Sequence, residues 1–174
     1  MKTLILGSAV VLAATVTMYG QGSPAQTAEW STGGKTVTIK YSAPSVRGRK
    51  IFGEGGQVMK DPTAPVWRAG ANNATSLHTD ADLDIGGLAV PAGDYTLYVN
   101  VKDENAWELI VSKDTKQWGT VYKQANDLGR VKMVMSKPSA VVEQLKYTIA
   151  GEGKKGKMTL QWENHVAAVP VTMK

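Results

Sequence analysis

Cysteine is absent from the 174 residues, phenylalanine occurs once, histidine twice and arginine only at positions 47, 49, 68 and 130. Without cysteine there can be no disulfide, no thiol nucleophile and no lipid carried on a cysteine. Two histidines exclude a three-histidine metal centre, and no spacing signature of a mixed histidine and carboxylate site is present, so no cofactor is implied. Beyond the first two dozen residues there is no long apolar run, so no membrane insertion is expected. A formal net charge of +5 is too mild to indicate nucleic acid as a partner. Lysines scattered through turns, such as Lys102, Lys113, Lys154 and Lys157, serve solubility.

What is there begins with a leader. Met1-Lys2-Thr3 precedes an apolar run from Leu4 to Val16, and small and polar residues then lead to Gly22-Ser23-Pro24. A charged start, a short apolar centre and a small-residue exit are the pattern of a secretory signal peptide, and the run is shorter than the roughly 20 residues that a membrane span needs. Residues 1–22 are therefore expected to be a signal peptide, with a mature start between Gln21 and Gln26. A periplasmic or secreted location follows. Residues 23–174 are expected to form one domain, large enough to bury a sizeable core without staples.

Alternation marks the strands. In Lys35-Thr-Val-Thr-Ile-Lys-Tyr41, Val37, Ile39 and Tyr41 point one way and Thr36, Thr38 and Lys40 the other. Tyr95 to Val101, Trp107 to Ser112, Arg130 to Met135, Val142 to Ile149, Lys157 to Trp162 and Val166 to Met173 read likewise. Asp80 to Gly87 has carboxylates spaced like a calcium loop. The sixth position is Ile85 instead of glycine and the twelfth is Pro91 instead of glutamate, so it reads as an edge strand with a Gly-Gly turn. Lys113 to Gly129 is irregular, with one short helical turn expected near Gln124 to Leu128. Nine or ten strands without a helical period predict an all-β protein: a single antiparallel β-sandwich, of jelly-roll type in one form, with a closed β-barrel as the alternative.

One stretch departs from strand logic. Trp67-Arg-Ala-Gly-Ala-Asn-Asn-Ala-Thr75 sets a Trp, an Arg, two Asn and a Thr among Ala and Gly. Small residues permit close approach, and the polar ones donate or accept in fixed directions. Arg47, Arg49 and Arg68 flank two candidate turns and Arg130 begins a strand; they would form a site for a carboxylate, phosphate or sulfate if the fold brings their guanidinium forks together. The alternative is that they pair with Asp94, Asp127 or Glu54 and tie loops to the sandwich. Trp107 and Trp162 are in phase with apolar neighbours and belong to the core. Trp67 and Trp118 are not, which makes them candidates for a binding surface. A Ser, His and Asp set can be written from Ser76, His78 and the Asp80 to Asp84 cluster, but no nucleophile-elbow sequence accompanies it.

Tyr41-Ser-Ala-Pro44, Gly48-Arg-Lys-Ile-Phe-Gly53, Trp67-Arg-Ala-Gly-Ala-Asn72 with Ala74-Thr75, and Pro91-Ala-Gly-Asp-Tyr95 together resemble the bacterial domain-of-unknown-function family 2911. Trp107, Trp118-Gly119, Tyr122, Asp127 and Arg130 follow in that family's order. The likeness covers nearly all of the chain after the leader. It departs at Asn73, where the family usually carries an acidic residue, and at Gln57 to Pro65, which replaces a proline-tyrosine-glycine turn. The resemblance implies a secreted or periplasmic protein and a site at the tryptophan-arginine block, and it implies no reaction. A non-catalytic module is expected, binding an anionic or polar small molecule or glycan through Arg49, Trp67, Arg68, Asn72, Thr75 and Arg130. An enzyme acting on cell-envelope polysaccharide and a purely structural envelope component are the alternatives.

Overall fold

The structure, a computed structural model, describes residues 22–174. The expected leader lies outside the described residues except for Gly22. Thirteen strands are formed among the described residues: β1 (Ala25–Thr32), β2 (Lys35–Ser42), β3 (Val66–Trp67), β4 (Thr75–Thr79), β5 (Leu83–Ile85), β6 (Leu88–Val90), β7 (Gly93–Asn100), β8 (Glu108–Ser112), β9 (Asp127–Lys132), β10 (Val134–Ser136), β11 (Val142–Glu152), β12 (Lys155–Glu163) and β13 (His165–Met173). One sheet runs β1-β2-β4-β7-β8-β9, with β3 also on β7. The other runs β11-β12-β13-β5-β6, with β10 also on β13. Every pairing is antiparallel. The two sheets pack face to face as a sandwich; they do not close into a barrel.

Alternation places the core as expected. Val37, Ile39 and Tyr41 of β2 are buried while Lys40 is exposed, and Leu145, Tyr147 and Ile149 face them from β11. Tyr147 meets Tyr41 edge-on, and its backbone N–H donates to the Tyr41 hydroxyl at 3.1 Å. The polar Ser23 to Gly34 segment forms β1 and buries Trp30. The Gly86-Gly87 turn joins β5 to β6, and β6, not β5, takes the sheet edge.

Arg130 to Met135 was expected as one strand and is two. Met133 is buried between the sheets, and its N–H donates to the Trp107 carbonyl at 2.9 Å. The chain crosses there from the first sheet to the second, so β9 pairs with β8 and β10 with β13.

An aromatic cluster fills one end of the core. Phe52 sits against Trp67, Trp107, Trp162 and His165, with ring centroids 4.7 to 5.8 Å away. Trp67 stacks on Trp162 at 5.6 Å, and His165 stacks on Trp107 at 5.2 Å. Burial lowers the pKa of the His165 imidazole from its usual value despite the opposing pull of Glu163 and Glu104.

The first sheet is covered on its outer side as well. Thr96, Tyr98, Ile110 and Ser112 alternate away from the core and are nonetheless buried. The irregular segment 113–126 lies over them. The Thr96 hydroxyl donates to the Asp114 carbonyl at 2.7 Å, and the Tyr98 hydroxyl donates to the Val121 carbonyl at 2.7 Å. Val66, Tyr98 and Ile110, with Ala74 and Tyr122, form a small second core beneath that cover.

Candidate ligand site at the Arg68 loop

β3 and β4 lie on the same edge of β7. Trp67 pairs with Val99 and Thr75 with Leu97, so the whole loop from Arg68 to Ala74 stands opposite a single residue, Tyr98. The small residues make this possible. Ala69 is buried at φ 50°, a left-handed conformation costly for a side chain bearing Cβ. Its carbonyl is held by the Thr75 hydroxyl at 3.0 Å and the Tyr147 hydroxyl at 3.1 Å. A Cβ on Gly70 would come within 2.8 Å of the Thr75 hydroxyl oxygen.

Trp67 is not a surface residue. Only 3% of it is exposed, and its indole N–H donates to the Gly70 carbonyl at 3.3 Å. It is poorly patterned in sequence because β3 has only two residues, too few to show a period. Thr75 is also enclosed, its hydroxyl spent on Ala69. Neither is exposed, and both fix the loop.

On an extended segment Arg68 points away from Trp67. Its Nη2 donates to Asp61 Oδ2 at 2.5 Å and its Nη1 to the Asn72 carbonyl at 3.1 Å. The side chains are 17% and 5% exposed. Asp61 Oδ1 is occupied by Thr63, through its backbone N–H at 3.2 Å and its hydroxyl at 2.9 Å. The segment Gln57 to Pro65, where the chain departs from the resemblance, is thus what supplies the arginine's carboxylate. Gly119 lies on the same guanidinium arm: a Cβ there would overlap the Arg68 side chain and come within 2.7 Å of the Asn72 carbonyl.

Beside this tie opens a cleft of about 300 Å³ lined by Arg49, Gln57, Asp61, Arg68 and Asn72, with Trp67 and Trp162 at its floor. Four of the six residues expected at a site, Arg49, Trp67, Arg68 and Asn72, therefore meet. Arg49 donates to the carbonyls of Val46 and Ser45 at 3.0 and 2.6 Å and remains exposed. Among the described residues it has no carboxylate partner. Asn72, at φ 61°, is exposed at the rim.

Arg130 is not part of this cleft. Its Nε donates to Asp127 at 3.1 Å and its Nη2 to the Tyr122 hydroxyl at 2.7 Å. Asp127 is one of the structural partners expected for the arginines. Burial, and then the Asp127 carboxylate, push the Tyr122 hydroxyl up to about 12. This trio pins the cover segment to β9.

Across the loop lies a larger groove of about 650 Å³ on the outer face of the first sheet, lined by Glu29, Lys40, Asn73, Ser76, His78 and Asp94 among others. Sequence reasoning passed over Asp94 as a partner of His78, although the alternation of β4 puts Ser76 and His78 on one face. His78 Nδ1 lies 2.8 Å from Asp94 and Nε2 3.2 Å from Asp80. With both ring nitrogens engaged by carboxylates, neither is left to activate Ser76, so the three do not form a charge-relay set. Asp94 first, then Asp80, raise the His78 pKa above its usual value.

That shift has a signed consequence. His78 stabilises the fold fully below its unfolded pKa, and the contribution fades as pH rises through its raised folded value. The stability difference between wild type and His78→Gln should thus be present at about pH 5.5 and vanish by about pH 9. The ring is half exposed, so the effect is small. Thermal melts at the two pH values check it, and a difference independent of pH would refute the ion pairing.

A family model described as "Protein of unknown function (DUF2911)" matches residues 23–171. No curated protein and no solved structure matches the chain.

Proposed function

The chain belongs to the DUF2911 family, and on that premise we propose that it is an extracytoplasmic β-sandwich that binds a small anionic or polar ligand in the Arg49–Arg68 cleft. One observation carries the reading. Two guanidiniums line a single cleft, and the one carboxylate there, Asp61, is already spent on Arg68 and Thr63. One positive charge is left over at the cleft's rim, on Arg49. A planar fork matches the two oxygens of a carboxylate or phosphate, and a desolvated pair of such bonds is stronger than a neutral one. Asn72 and Gln57 add amide donors and acceptors on either side. The leader-like N-terminus supports export.

A second reading has its own observation. Arg68, Thr75 and Arg130 are all satisfied by the protein itself, as a set of structural locks would be. Arg49 separates the two. Calorimetric titration with acetate, phosphate and sulfate should show binding by the wild type and its loss in Arg49→Ala. Stability should change by less than about 1 kcal/mol, because Arg49 is exposed and holds only carbonyls of its own turn. Undiminished binding by Arg49→Ala, or no binding by the wild type, would leave the structural reading standing.

A further inference from the structure

Trp118 has no place in either core. It is 52% exposed, in a protein whose other four tryptophans are buried. Its position is set by two backbone hydrogen bonds. Ala74 N–H donates to the Gln117 carbonyl at 3.3 Å, and Gly119 N–H donates to the Asn72 carbonyl at 3.1 Å, so Trp118 bridges Asn73. Neighbouring side chains on such a paired segment point opposite ways. Gln117 turns inward, donating to the Thr96 hydroxyl oxygen at 3.2 Å and the Tyr98 hydroxyl oxygen at 3.1 Å. Trp118 therefore turns outward.

The Asn72–Ala74 ridge with which Trp118 pairs borders two hollows. Asn72, on one side, lines the Arg49–Arg68 cleft; Asn73, on the other, lines the groove on the sheet. Within the groove, donors and acceptors are mixed: Lys40, Ser76 and His78 against Glu29 and Asp94. Ser76 and Asn73 have no side-chain hydrogen-bond partner among the described residues, while Thr38 and His78 hold the two carboxylates in place at 3.3 and 2.8 Å. An aromatic face offers apolar area at low entropic cost, and a pyranose ring presents an apolar C–H face ringed by hydroxyls that both donate and accept.

From this arrangement we propose that the ligand is an acidic oligosaccharide. It rests on the anionic reading above: one sugar carboxylate is held by Arg49 in the small cleft. The chain then crosses the ridge with a ring stacked on Trp118 and continues into the groove, where hydroxyls meet Asn73, Ser76, Glu29 and Asp94. The small cleft holds one sugar unit. The groove and Trp118 are reached only by a longer chain, so chain length is the diagnostic variable.

The experiment titrates galacturonate and tetragalacturonate into wild type, Trp118→Ala and Arg49→Ala at fixed ionic strength, read by calorimetry and by tryptophan fluorescence. The expected result is a tetramer bound at least about tenfold more tightly than the monomer, equivalent to about 1.4 kcal/mol. Trp118→Ala should bind the monomer as before and lose the gain. Equal affinity for the two lengths overturns the proposal and leaves the anionic site intact. A gain that survives Trp118→Ala also overturns it, because that is what diffuse attraction of a polyanion would give. If Arg49→Ala binds both sugars like the wild type, the anionic reading fails and the proposal falls with it.

Discussion

Arg68→Ala is expected to cost about 3 kcal/mol of folding stability, at the low end for breaking an ion pair shut away from water. Removing the guanidinium strands a carboxylate. Asp61 is nearly enclosed, and only its Oδ1 keeps a partner, Thr63. The same change frees the Asn72 carbonyl, which then holds only Gly119. Arg68→Lys should cost less, about 1–2 kcal/mol, because an ammonium reaches one of the two acceptors and not both. Urea unfolding of Arg68→Lys, of the two single variants Arg68→Ala and Asp61→Ala, and of the double variant Arg68→Ala/Asp61→Ala completes the test. The double variant should lose less than the sum of the two singles, by more than about 1 kcal/mol. Two single variants within about 0.5 kcal/mol of wild type would show that the pair contributes nothing. The consequence for the proposed site is a division of labour: Arg68 holds the loop, and Arg49 is left exposed at the cleft.

The other large effect belongs to Phe52. Phe52→Ala should cost about 4 kcal/mol, the range for emptying an aromatic site in a core that can only partly collapse. Phe52 is fully buried at the junction of four rings, with centroids 4.7 Å from Trp107 and 5.5 Å from Trp67. Edge-on aromatic pairs add about 0.5–1.5 kcal/mol each beyond area. Phe52→Leu keeps most of the volume and should cost about 1–2 kcal/mol. Three of the tryptophans border the site, so near-ultraviolet circular dichroism of the folded variant should change with the melt. A loss under about 1 kcal/mol in Phe52→Ala, with an unaltered near-ultraviolet spectrum, would contradict the packing described.

The sequence by itself determined the all-β class and which residues of each long strand share a face. Period-two alternation does that physically: in β2, a one-residue slip would put Lys40 in the core and Ile39 outside. It also marked Trp107 and Trp162 as core and set Trp67 and Trp118 together as surface candidates, of which only Trp118 is exposed, and it located the loop that interrupts the strand beside β7. What alternation does not carry is what lies over each face. Thr96 and Tyr98 have the phase of solvent-facing residues, and the cover segment buries them. Trp67 sits on a two-residue strand with no phase to read, so only packing against Trp162 decided its burial. Partners depend on register and on loop paths. Arg130 finds Asp127 three residues away, within reach of local reasoning. Arg68 finds Asp61 because a turn of 3-10 helix over Val58–Lys60 delivers it, and His78 finds Asp94 because β4 and β7 pair in that register. Charge complementarity in one dimension allows many such pairs. The three-dimensional pairing of strands selects one, and that selection has Arg68, Thr75 and Arg130 bonded to neighbouring groups of the protein, buries Trp67, and leaves Arg49 and Asn72 exposed at the cleft.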